Sequence, residues 1–181
     1  MNESIKEILV SPKQINEICE KLGAQITQDY KHKPRPILLG LLKGCVLFMS
    51  DLMKHIDIPC EVEFMDVKSY DGTHSSGDIK IRMDISVSVK ERHIIICEDI
   101  VDTGKTLDTV VKLLKHRGAA SIEVVTLLDK PEGRIIPFTP KYIGTTIPKV
   151  FVVGYGLDYN ELFRNLPYVG ILKESVYMDK E

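Results

Sequence analysis

A chain of 181 residues with 44% hydrophobic composition is long enough to bury a core without covalent staples, so one domain is expected. The formal net charge of -2 gives no global pull toward nucleic acid or an anionic membrane, and any anion binding has to be local. The four cysteines, Cys19, Cys45, Cys60 and Cys97, form no C-x-x-C pair and have no histidine at zinc-ligand spacing, which suits free thiols in a reducing cytoplasm.

The first seven residues lack the charged-then-apolar layout of a signal peptide, and no apolar run approaches the roughly 20 residues of a membrane span. A soluble cytoplasmic protein without a membrane partner is expected. Ser11-Pro12-Lys13-Gln14 supplies an N-cap, a proline at the first helical position and a capping-box glutamine. Ile15, Ile18, Cys19, Leu22 and Ile26 follow at helical spacing, predicting a helix that ends near Tyr30. Pro34 and Pro36 break the chain before an apolar strand at 37–42, and Gly44 opens a second helix to about His55.

Residues 60–68 and 79–89 alternate apolar and polar side chains and predict an antiparallel pair joined by the polar loop 69–78. The next strand, running through Ile94-Ile95-Ile96-Cys97, is followed by a helix to about Arg117 with Gly118 as its stop, then a strand at 122–128. Two strand-helix-strand units predict an α/β fold with a right-handed, mainly parallel twisted sheet and helices on both faces. Short strands at 142–147, 151–153 and 168–172, separated by Pro148 and Pro167, are expected to form a small subdomain over the sheet edge. Ligands of such sheets bind beyond the carboxyl ends of the strands, where Leu42-Lys43-Gly44, Glu98 to Thr106 and Asp129-Lys130 all fall.

The most informative segment is Glu98-Asp99-Ile100-Val101-Asp102-Thr103-Gly104-Lys105-Thr106. Leu107, Val110, Val111 and Leu114 recur at helical spacing after it, so Thr103 to Thr106 should sit at a helix N-terminus, with free N–H groups and the positive dipole end facing an anion. Gly104-Lys105-Thr106 also suggests a nucleotide P-loop, but that pattern needs a glycine at the position of Asp99. A carboxylate pair there is better suited to ribose hydroxyls, directly or through Mg²⁺ and its waters.

Four apolar residues, Glu-Asp, two apolar residues and Asp-Thr-Gly-Lys-Thr resemble the phosphoribosyl-pyrophosphate motif of type I phosphoribosyltransferases. The resemblance narrows to the hypoxanthine-guanine branch through Leu41-Leu42-Lys43-Gly44, Val67-Lys68-Ser69-Tyr70, Gly77-Asp78-Ile79-Lys80, Leu127-Leu128-Asp129-Lys130 and the run from Phe151 to Tyr159. It implies one domain with a core at about 37–130, a hood from about 1–10 and 131–181, and a flexible lid hairpin at 69–78. The implied substrates are hypoxanthine, guanine and phosphoribosyl pyrophosphate, the cofactor is Mg²⁺, and the assembly is a homodimer or homotetramer.

Carried onto this chain, the resemblance implies that Asp102, Thr103, Gly104, Lys105 and Thr106 hold the ribose 5-phosphate while Glu98 and Asp99 face the ribose hydroxyls and metal. Asp102 would accept the purine N7 proton, a role chemistry supports because N7 must lose its proton as N9 attacks the ribose. Lys130 would bond the purine O6, Phe151 would stack on the base, and the backbones of Val152 and Asp158 would read its edge. Asp158 would also ligate a second Mg²⁺, with Arg164, Lys43 and Gly44 around the pyrophosphate and a cis peptide at Leu42-Lys43. Ser69 and Tyr70 would close over the reacting centre and exclude water. The basic run at 31–35 reads as a solvated connection, and the five histidines share no metal or nucleophile spacing. A rival reading keeps the fold and anion loop in a regulator of RNA or DNA; the net charge and the base-reading segment near Phe151 argue against it.

Overall fold

The computed structural model describes residues 2–69 and 79–178. Its nine strands are β1 (Ile5–Val10), β2 (Ile37–Leu42), β3 (Glu61–Ser69), β4 (Ile79–Met83), β5 (His93–Val101), β6 (Ser121–Asp129), β7 (Tyr142–Thr146), β8 (Val152–Val153) and β9 (Val169–Leu172). The helices are α1 (Pro12–Tyr30), α2 (Cys45–Met53), α3 (Lys105–His116) and the short α4 (Glu174–Tyr177). A six-stranded sheet has the order β4-β3-β2-β5-β6-β7, parallel throughout except for the antiparallel edge strand β4. The remaining strands form a separate antiparallel sheet in the order β1-β9-β8.

Strand pleating explains how the two central strands serve two cores. Leu38 on β2 and Ile95 and Cys97 on β5 face the layer built by Cys19, Leu22 and Ile26 of α1 and Phe48 and Leu52 of α2. Their neighbours Ile37, Leu39, Ile94 and Ile96 face Leu107, Val110 and Leu114 of α3 on the other side. A strand buried on both faces has no polar alternation to display, which is why β2 and β5 read as continuous apolar runs.

Local signals set the helix ends. Ser11 is extended, its Oγ accepts from the Gln14 N–H at 3.3 Å, and Gln14 Oε1 accepts from the Ser11 N–H at 2.8 Å, the reciprocal cap expected from the tetrapeptide. Gly118, at φ 83°, ends α3 in the left-handed region.

Three expectations change. The strand expected at 79–89 stops at Met83, because Asp84 accepts both guanidinium bonds of Arg117 at 2.7 and 2.6 Å and the Ile85 N–H at 2.8 Å, turning the chain off the ladder. The strand expected over the sheet edge at 142–147 is itself the edge: β7 pairs in parallel with β6, so the main sheet extends beyond residue 130. β1, for which no strand was expected, pairs with β9 through two register shifts. The expected lid at 69–78, apart from Ser69 at the end of β3, lies outside the described residues. Among the described residues, no helix is long and apolar enough to cross a membrane. The cysteines are free; Cys19, Cys45 and Cys97 are buried and Cys60 is half-buried.

Candidate active site

Because β2, β5 and β6 are parallel neighbours, the loops that leave their carboxyl ends open at one sheet edge, as expected. At the centre, Glu98, Ile100, Val101, Asp102, Thr103, Gly104, Thr106 and Leu107 line a cavity of about 140 Å³. Gly104 stands at φ 80°, a conformation that costs a side chain, immediately before α3. Gly104 has no side chain to cap this helix, and apart from the Lys105 N–H, which donates to Thr103 Oγ1 at 3.4 Å, no side chain takes a first-turn N–H, so the rest remain available to an anion. Lys105 is the exception within the motif: it is exposed and is not among the residues lining the cavity.

Glu98 and Asp99 are half-buried, and among the described residues neither forms an ion pair. Burial and the neighbouring Asp99 charge push the Glu98 carboxyl well above its ordinary range; burial pushes Asp99 up to about 6, against the stabilising Ile100 N–H at 2.8 Å. Such uncompensated oxygen donors fit a hard divalent cation. Among the described residues no three His, Cys, Asp or Glu side chains converge as a metal-holding group, so Mg²⁺ here would take its remaining ligands from substrate oxygens and water. Asp158 stands apart: its Oδ1 lies 2.8 Å from Arg164 Nη2, and its Oδ2 accepts the Glu161 N–H at 2.9 Å.

At the carboxyl end of β6, Lys130 Nζ lies 2.5 Å from Asp102 Oδ2, so the two residues expected to meet the purine meet each other. Lys130 is 13% exposed and Asp102 39%, leaving the carboxylate as the open member. Arg134, which the motif reading missed, braces this corner. Its Nη1 donates to the Val101 and Asp102 carbonyls, both at 2.5 Å, its Nε donates to Phe138 O at 3.0 Å, and its Nη2 pairs with Asp129. The adjoining loop is tied down as the Ile135 and Ile136 N–H groups donate to Thr103 O at 3.0 and 3.1 Å. Gly133 was also missed: a Cβ there would stand 1.8 Å from Asp102 Oδ1. A lone Gly-Arg after a turn carries no sequence signal that it faces inward.

Phe151 is 40% exposed, stacks on Tyr177 at 5.0 Å between ring centroids and meets Tyr159 edge-on at 5.7 Å. Val152 lies in β8, which has a ladder partner on one side only, so one row of its backbone groups is not used by the sheet. Below it, the Tyr155 hydroxyl donates to Asp51 Oδ2 at 2.5 Å and anchors the 154–156 loop to α2.

That anchor presses Gly156 against the loop after β2. A Cβ on Gly156 would come within 2.0 Å of Gly44 O, and one on Gly44 within 1.8 Å of Asp99 Oδ2, so a bare backbone is required where the three segments meet. The Leu42-Lys43 peptide is cis, as expected. Lys43 Nζ lies 2.8 Å from Glu161 Oε2, and Arg164 Nη2 reaches the same oxygen at 3.3 Å while Nη1 donates to Gly156 O at 2.7 Å. Lys43, Asp158 and Arg164 thus gather at one corner, joined by Glu161, which the motif reading did not single out. Of the expected lid pair, Ser69 ends β3, and Tyr70 lies outside the described residues.

The chain belongs to the phosphoribosyl transferase family: residues 6–160 match the family described as Phosphoribosyl transferase domain. Within it, the chain is 53% identical over 178 residues to the hypoxanthine-guanine phosphoribosyltransferase of Streptococcus pneumoniae, covering 98% of each protein. It is 49% identical over 178 residues to the Staphylococcus aureus protein of that name, covering 98% of this chain and 99% of the relative. Among solved structures, a hypoxanthine phosphoribosyltransferase from Staphylococcus aureus superposes with a TM-score of 0.91 at 49% identity, over 96% of this chain and 95% of that one. A point mutant of the Trypanosoma cruzi hypoxanthine phosphoribosyltransferase, complexed with the product IMP, gives a TM-score of 0.94 at 34% identity, over 100% of this chain and 97% of its own.

Proposed function

We propose that this protein transfers the 5-phosphoribosyl group from phosphoribosyl pyrophosphate to hypoxanthine or guanine, giving IMP or GMP and pyrophosphate in purine salvage. The observation that carries the reading is that one segment does two things: Asp102 to Thr106 follow β5 along a cavity at the start of α3, and the first residue of that segment turns its carboxylate to Lys130. Phosphate and base are thereby held from adjacent residues, which sets the distance between the ribose and its acceptor.

The 5-phosphate binds the backbone of Thr103 to Thr106 at the start of α3, where N–H groups without a helical partner and the helix dipole favour negative charge. The exposed Lys105 side chain does not line the cavity, so beyond its backbone its contribution is long-range charge. The incoming purine separates the Asp102–Lys130 pair: its O6 takes Lys130, and its N7 proton goes to Asp102 as N9 bonds the anomeric carbon and the pyrophosphate oxygen leaves. An amine at the purine 6-position cannot accept from the Lys130 ammonium, so adenine is excluded. Phe151 packs the base, and the backbones at Val152 and Asp158 meet its edge. Glu98 and Asp99 receive the ribose hydroxyls and would hold one Mg²⁺, and Asp158 would hold a second; the ions would supply charge neutralisation for the pyrophosphate. Lys43, the Gly44 backbone and Arg164 receive the pyrophosphate. Free thiols support a cytoplasmic setting; the assembly we assign is a homodimer or homotetramer.

Turnover of hypoxanthine, guanine, xanthine, adenine and uracil with phosphoribosyl pyrophosphate and Mg²⁺, followed by ultraviolet absorbance, tests the reading. Hypoxanthine and guanine should be consumed, and adenine and uracil left untouched. Turnover of adenine, or of no base at all, would sink it.

A further inference from the structure

The corner assigned to pyrophosphate already contains an anion supplied by the chain. Glu161 Oε2 lies 2.8 Å from Lys43 Nζ and 3.3 Å from Arg164 Nη2, joining the two cations placed there. The position of Glu161 is set by backbone: Asn160, Glu161 and Phe163 have φ of 51°, 65° and 74°, and Tyr159 and Leu162 exchange both backbone hydrogen bonds at 3.1 and 3.0 Å. The Glu161 N–H donates to Asp158 Oδ2 at 2.9 Å, fixing the turn to the site. Left-handed conformations at three non-glycine residues are unfavourable and persist only where their surroundings impose them. The Glu161 side chain is 58% exposed, so neither packing nor core burial accounts for its direction.

We propose that Glu161 is an internal counter-anion, holding Lys43 and Arg164 when no pyrophosphate is bound and giving them up when it arrives. The proposal rests on the phosphoribosyl-transfer reading. A phosphoryl oxygen and the Glu161 carboxylate compete for the same two cations, so a pyrophosphate contact to the Lys43 ammonium or to Arg164 Nη2, which Glu161 shares with Asp158, is made against pairing already present. That competition lowers affinity for pyrophosphate and, because the carboxylate remains tethered nearby, favours its departure after transfer. The Glu161 carboxylate pairs with Lys43 and Arg164 and not with Lys130, Asp102 or the start of α3, so neither the base nor the 5-phosphate competes for it.

Glu161→Gln keeps the shape of the side chain and removes its charge. Titration of the full-length protein with inorganic pyrophosphate in excess magnesium chloride should show about five-fold tighter binding by the variant, equivalent to about 1 kcal/mol and at the upper end for an exposed ion pair. IMP affinity, measured without pyrophosphate, should stay within about two-fold, whereas a purely structural role would shift both ligands. Unchanged or weaker pyrophosphate binding, or a parallel shift in IMP affinity, would overturn the proposal. If the unaltered protein binds neither pyrophosphate nor IMP, the functional reading itself falls and takes the proposal with it.

Discussion

Asp102 is held by three neighbours with different jobs. Lys130 pairs with its carboxylate, Arg134 takes its backbone carbonyl, and Gly133 leaves room for Oδ1. A methyl at Gly133 collides with that oxygen, and the backbone cannot yield freely because the Gly133 N–H donates to Lys130 O at 3.0 Å. Gly133→Ala is therefore expected to leave thermal stability within a few degrees of the original while lowering kcat/KM for hypoxanthine by about 10- to 100-fold, the scale of an ångström-sized misplacement. Steady-state kinetics beside a melting curve checks this; unimpaired kcat/KM would show that Asp102 is not confined as described. Asp102 could be proposed from the motif because its spacing from Thr103 and Gly104 is local. Arg134 could not, since its value depends on the carbonyls of Val101 and Asp102, some thirty residues earlier, turning toward it.

At the scale of elements, α1 was legible to the residue at its start because its cap is written in four consecutive side chains. β2 and β5 were legible because burial on both faces leaves unbroken apolar runs. β1 carried no such signal: its solvent-facing residues Lys6 and Glu7 are consecutive, so the strand lacks period-two alternation. The end of β4 depends on a partner thirty-three residues away, as Arg117 takes both oxygens of Asp84. Hydrogen bonding to Arg117, ahead of an opposing effect of burial, holds the Asp84 carboxyl below its ordinary range. A depressed carboxyl stabilises the fold above its unfolded pKa of about 3.9, and that stabilisation is lost as pH falls through the folded value. The pair is about one-third exposed, so screening limits Asp84→Asn to a cost of about 1 kcal/mol at pH 7. Urea unfolding should show the deficit at pH 7 and its disappearance near pH 2; a deficit independent of pH would assign the effect to the turn rather than to charge.

Across the whole molecule, the site is an assembly of segments that are distant in the chain and share one sheet edge. The parallel order β2-β5-β6 brings Lys43, Asp102 and Lys130 to that edge, while the second sheet and its loops deliver Phe151, Asp158 and Arg164. Pattern reading anticipated the parallel sheet because strand-helix-strand order has few topological solutions. It misplaced β7, because a five-residue strand between prolines is compatible with either sheet and only its pairing with β6 decides. The central claim is a division of labour within one segment: the backbone after Asp102 binds phosphate, and the Asp102 carboxylate serves the base. Asp102→Asn tests it most directly, keeping shape and backbone while removing the proton acceptor. With phosphoribosyl pyrophosphate affinity and hypoxanthine turnover measured on the same preparation, kcat should fall by at least about 100-fold while that affinity stays within about three-fold. Retained kcat, or an affinity loss as large as the loss of turnover, would contradict the division.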